Sequence, residues 1–161
     1  MTANRMIAAT LTVPMLFTSG CATYVNIPAQ EGDVAWHSPN NPSVIQVQTA
    51  ALKAVADDWK LQEAFAVKAL PDTAPDEYAA MLPKISDHAT GDPTDQGLRL
   101  QVKRLNIRGS TAMADILAVP VGQTAQLITV YLNWRLFDGW YAKRMKVWKI
   151  DALRPQTVSP N

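Results

Sequence analysis

The chain has 161 residues, 48% hydrophobic and 18% charged, which is enough apolar material for one packed domain plus a terminal segment. Its net charge of +1 excludes a global electrostatic bias toward nucleic acid or an acidic substrate. One cysteine excludes an internal disulfide and a cysteine-based zinc cluster, and two histidines leave little for a transition-metal site.

Residues 1–20 read as a targeting segment. Arg5 supplies a positive start, and Met6–Phe17 is an apolar run broken by Thr10, Thr12 and Pro14. A bilayer span needs about 20 apolar residues, so this run suits the core of a secretory signal instead. No later segment approaches spanning length. Thr18-Ser19-Gly20-Cys21 then resembles a bacterial lipobox, with Thr18 where that family favours Leu. The resemblance implies cleavage before Cys21 and lipidation of its thiol. Ala22 after the cysteine implies no retention at the inner membrane, hence an outer-membrane anchor facing the periplasm.

Residues 21–41 read as the lipidated cysteine and a flexible tether, with Pro28, Gly32, Pro39 and the pair Asn40-Asn41. Asn41-Pro42 predicts a helix start, an Asn cap followed by Pro in the first turn. Ile45, Leu52, Val55 and Trp59 then lie on one stripe. Phe65–Leu70 predicts a short strand stopped by Pro71. Thr73-Ala-Pro-Asp76 has capping-box spacing, and a second helix carrying Tyr78, Met81 and Leu82 falters at Pro83. Residues 86–97 read as a polar loop.

From Leu98 the apolar period becomes two. Leu98, Leu100 and Val102 share a face, while Leu105 and Ile107 are out of phase, so a bulge near Lys103-Arg104 is expected. Thr111–Val119 returns after Gly109-Ser110. Leu127–Leu136 and Tyr141–Ile150 form the last hairpin, and Asp138-Gly139 predicts a two-residue turn. That turn pairs Leu132 with Met145 and Val130 with Val147. It faces Tyr141, Trp134 and Met145 inward, with Tyr131, Asn133, Ala142, Arg144, Lys146 and Trp148 outward.

The expected fold is therefore α+β: two helices packed on a curved, mostly antiparallel sheet of about five strands. The globular domain would span 42–150, with a disordered tail at 151–161. The element order and the closing DGWYAKRMKVW hairpin resemble the SnoaL-like branch of the nuclear-transport-factor-two-like cone fold. That resemblance implies a cone-like shape and a pocket between sheet and helices, lined here by Tyr78, Val130, Leu132 and Trp134. Catalytic members of that fold place Asp, His or Tyr inside the pocket. The inward face predicted here shows no Asp or His.

Charge divides along the chain. Residues 31–95 hold 11 acidic and 4 basic side chains, whereas 98–150 hold 9 basic and 2 acidic. This reads either as complementarity between the halves or as a basic sheet face that meets anionic lipid or polysaccharide. Asp87-His88 with Asp92 and Asp95 lacks the alternation of a calcium loop. No G-x-S-x-G, phosphate-binding glycine loop or paired acid and base is present, so no catalytic residue, metal or cofactor is assigned. Trp134, Trp140 and Trp148 read as core and edge packing of the last hairpin.

The expected role is a membrane-anchored, non-enzymatic binding domain of the cell envelope. Its partners would be the membrane itself and an envelope protein or polymer, not nucleic acid. Its surface would be Tyr131, Asn133, Arg144 and Lys146. The alternative is a cone-fold domain that binds or converts a small molecule in the pocket.

Overall fold

The computed structural model describes residues 24–29, 38–91 and 97–149. The expected leader 1–20, the expected lipidation site Cys21, Asp92, Asp95 and the expected tail 151–161 lie outside the described residues. Within them the fold is α+β, with two helices and an open, mixed sheet of seven strands.

Helix α1 spans Pro42–Asp58 and begins as its sequence dictates. The Asn41 side chain accepts a hydrogen bond from the Ser43 N–H at 2.9 Å, and Pro42 occupies the first turn. It ends in a paired-carbonyl closure. The Leu61 N–H donates to the Ala56 carbonyl and the Lys60 N–H to that of Asp57. Lys60 takes the left-handed conformation that glycine usually fills at this position. The apolar stripe of α1, from Val44 to Ala56, packs on the sheet.

Helix α2, Pro75–Ile85, runs through Pro83 to Ile85. The capping box expected at Thr73 does not form. The Thr73 hydroxyl donates to the Leu70 carbonyl, and the N-cap is Ala74, whose N–H is taken by the Asn40 side chain at 2.6 Å. A residue 34 positions upstream thus binds the N-cap residue of the helix.

The strands are β1 (Tyr24–Ile27), β2 (Phe65–Lys68), β3 (Ala89–Thr90), β4 (Arg99–Arg108), β5 (Thr111–Val119), β6 (Gln126–Arg135) and β7 (Gly139–Lys149). The five expected strands become seven. β1 lies inside the stretch read as tether, and β3 lies inside the stretch read as polar loop. Both are too short to announce themselves, and each forms because an unpaired strand edge accepts it. β1 pairs antiparallel with β4, and Val25 is fully buried, so the sheet includes residues N-terminal to residue 42. β3 pairs parallel with β2.

One edge of β4 is shared. β2 lies along Arg99–Gln101 and β1 along Leu105–Arg108. The bulge expected near Lys103-Arg104 falls between those neighbours, where the register with β5 shifts between Val102 and Arg104. It brings Leu100, Val102, Leu105 and Ile107 onto one buried face. Ala114 and Ile116 of β5 and Ile128, Val130 and Leu132 of β6 complete the core against α1. On β5 the small residues Ala112, Ala114 and Ala118 are buried beneath the helix layer.

The last hairpin departs from its expected register. Arg135 pairs with Gly139, so three residues, Leu136–Asp138, make the connection, and Gly139 adopts φ +72° at no steric cost. Trp134 then faces Trp140, and Leu132 faces Ala142. A second bulge intervenes at Tyr131/Leu132, beyond which Tyr131 pairs with Arg144 and Val130 with Met145. The longer turn reverses the facing of residues near it, and the bulge reverses it back. Ala142 therefore points inward and Tyr141 outward, opposite to expectation. Arg144, Lys146 and Trp148 keep the outward face expected of them.

Candidate functional site

Helix α1 lies on β4–β7 and α2 on α1, so one face of the sheet is covered. Among the described residues, no helix lies on the other face. The four residues expected to form a binding surface meet there. Tyr131 stands opposite Arg144, Thr129 opposite Lys146 and Asn133 opposite Tyr141. The neighbours are shifted from the predicted pairs (Tyr131 with Lys146, Asn133 with Arg144), because the loop and bulge move β7 along β6.

This face is organised by cations on aromatic rings. The Arg144 guanidinium lies 4.2 Å from the Tyr131 ring centre, that of Arg135 4.1 Å from Tyr141, and the Lys146 ammonium 3.3 Å from a Trp148 ring centre. Arg108 sits 5.5 Å over Tyr24 at the β1 side. Such contacts hold flexible basic side chains flat while their outer edges stay open to a ligand.

A polar relay runs beneath them. The Trp148 indole N–H donates to the Thr129 hydroxyl at 3.2 Å, and that hydroxyl donates to Asp115 at 2.7 Å. Asp115 faces Arg104 across β4–β5, and Thr129 is only 6% exposed. Asp115 is the one acid among the described strand residues of this face, against Arg104, Arg108, Arg135, Arg144 and Lys146, so the surface is electrostatically basic. Sequence reading missed this relay, because it depends on three strands aligned in one register.

At the turn end of the same face, a cleft of about 540 Å³ is lined by Arg108, Lys143 and Arg144 with Asn106, Thr111 and Asn133. Lys143 is the residue that the second bulge inserts between Ala142 and Arg144. The bulge thereby sets two basic residues of β7 on one cleft.

The four residues expected to line one pocket between sheet and helices are not brought together. Val130 and Leu132 are at most 1% exposed in a filled core. Trp134 lies past the helix, 41% exposed, along a groove shared with α1. Tyr78 lines a separate cleft of about 450 Å³ at the sheet edge, with Lys68, Asp72, Gly91 and Arg99. Its hydroxyl donates to the Val67 carbonyl, and burial raises the phenol pKa above its ordinary value. The core residues are separated from Tyr78 because their side chains interdigitate under α1, while α2 lies off to the side.

Among the described residues, no group of three or more His, Cys, Asp or Glu is placed to hold a metal ion, and no helix is long and apolar enough to cross a membrane. No family model, curated protein or solved structure matches this chain.

Proposed function

We propose that this chain is a non-enzymatic binding domain of the cell envelope, anchored through acylated Cys21 to the outer membrane on its periplasmic side. Its working surface is the open sheet face around Tyr131, Asn133, Arg144 and Lys146, and its ligand is anionic. The observation that carries the binding role is the set of basic side chains stacked on Tyr131, Tyr141 and Trp148. Holding those cations in place lowers the ordering cost of meeting an anion. The anchor rests on the leader and the lipobox-like Thr18–Cys21.

Two measurements test this reading. Grown with labelled palmitate in a bacterial host, the wild-type chain takes up label, whereas Cys21→Ser does not. On immobilised heparin in a salt gradient, the Arg144→Ala/Lys146→Ala variant elutes at clearly lower salt than wild type. Identical elution removes the binding surface from consideration.

A second reading, a cone-like domain that takes a small molecule, draws on the Tyr78 cleft and the Arg99 side chain in its wall. A small-molecule screen by thermal shift, with hits abolished by Arg99→Ala, would favour it over the first.

A further inference from the structure

The connection after β6 carries the most exposed apolar side chains among the described residues. Phe137 is 94% exposed and Leu136 69%, with Trp134 beside them. A folded domain in water gains by covering such groups, and two adjacent ones at a turn mark a surface that something else covers. Arg135 precedes them, 3.8 Å from Asp138, the one acid of the turn. Just behind lies the cleft of Arg108, Lys143 and Arg144, whose lining includes no acid.

The ladder gives this tip a direction. One row runs Tyr24, Arg108, Thr111, Asn133, Tyr141 across five strands. The start of β1 therefore lies at the same end of the sheet as the tip, and the Trp134 N–H is tied to the Ser110 carbonyl at that end. β1 runs antiparallel to β4, so the chain enters it from beyond the end toward which β6 projects its turn. Cys21 precedes Tyr24 by three residues, a reach of at most about 11 Å.

We propose that this end of the sheet is a second membrane contact, in which Leu136 and Phe137 enter the interfacial zone of an anionic bilayer. Arg108, Lys143 and Arg144 then meet the phospholipid phosphates. This rests on the membrane-anchored reading above and names the anionic partner as the bilayer at this end of the face. Apolar insertion plus basic attraction is the combination that holds peripheral domains at membranes, and an acyl chain at the same end would act together with it. A second copy is a poorer occupant, since two such ends would bring six cations together around the apolar tips.

The test uses residues 21–161 with Cys21→Ser, which keeps all seven strands and both helices but carries neither leader nor acyl group. Flotation is measured with phosphatidylcholine vesicles containing 30% phosphatidylglycerol, and with phosphatidylcholine alone. Binding to the anionic vesicles is expected, with a blue shift of tryptophan emission. Leu136→Ser/Phe137→Ser and Lys143→Ala/Arg144→Ala should each weaken it at least tenfold, with far-ultraviolet circular dichroism unchanged. Inorganic phosphate at 10 mM should not compete beyond its ionic strength, since a surface and not a free ion is recognised.

Three results overturn the proposal: no flotation with anionic vesicles, equal binding after the tip is replaced, or a dimer that the tip substitution dissociates. The palmitate label is read separately on the full-length chain. Label without vesicle binding leaves the anchor standing and removes the tip contact. Vesicle binding without label does the reverse.

Discussion

Arg144 and Tyr131 are direct partners across β6 and β7, and the guanidinium carbon lies 4.2 Å from the centre of the ring. The pair sits at the second bulge, so its contact depends on a register that neither residue specifies alone. A double-mutant cycle with Arg144→Ala and Tyr131→Ala, followed by urea unfolding, should give a coupling of about 0.5–1 kcal/mol. Strict additivity would mean the stack contributes only by position.

Thr129 should be less tolerant than its surface strand implies. Its hydroxyl accepts from Trp148 and donates to Asp115. Thr129→Val keeps the shape and removes both bonds, leaving the half-buried Asp115 without this donor. A loss of about 1–3 kcal/mol is expected, seen as a lower urea midpoint at unchanged slope. Thr129→Ser should recover most of it. A valine variant as stable as wild type would show that water replaces the hydroxyl.

Gln48 is fully buried on α1, and its side-chain carbonyl accepts the Leu70 N–H at 2.9 Å. That bond ties the end of β2 to the helix layer, while the Gln48 Nε2 has no partner among the described residues. Gln48→Met fills similar volume but strands the Leu70 amide, at a cost of about 1–3 kcal/mol. Amide hydrogen exchange at Leu70 should accelerate more than the global loss accounts for. Unchanged protection there would show that β2 is held by β4 alone.

The Tyr78 phenol titrates above its ordinary value because burial disfavours the tyrosinate. The sign follows from linkage. A folded pKa above the unfolded one, near ~10, gives stability that is present below that pH and lost as pH rises through the folded value. Difference absorbance between wild type and Tyr78→Phe should therefore show this tyrosine ionising above the ordinary phenol range. Ionisation within the ordinary range would mean that the Val67 contact opens in solution.

The candidate surface was partly legible before folding. Alternation along β6 assigns Tyr131 and Asn133 to the outward face, and alternation along the far half of β7 does the same for Arg144 and Lys146. The pairs were not legible, because Asp138-Gly139 reads as a two-residue turn while three residues make the connection and a bulge follows. The pocket set fails for a different reason. Tyr78, Val130, Leu132 and Trp134 share apolar character, but inward facing does not distinguish a residue in a filled core from one lining a cavity.

What the sequence determined by itself is local. Asn41-Pro42 starts α1 through a cap that reaches two residues ahead, and the phase break at Lys103-Arg104 demands a bulge so that one face stays apolar. Such features depend on near neighbours and on a single requirement, keeping the apolar face together. Tertiary structure decided what needs a distant partner. Tyr24–Ile27 became a strand only because β4 offered an open edge. Asn40 binds the N-cap residue of a helix, Ala74, 34 positions later only because the fold brings it there. The exposure of Leu136 and Phe137 at the tip is equally non-local. An apolar residue is buried only where other chain segments cover it, and none of the described segments reaches past the end of the sheet.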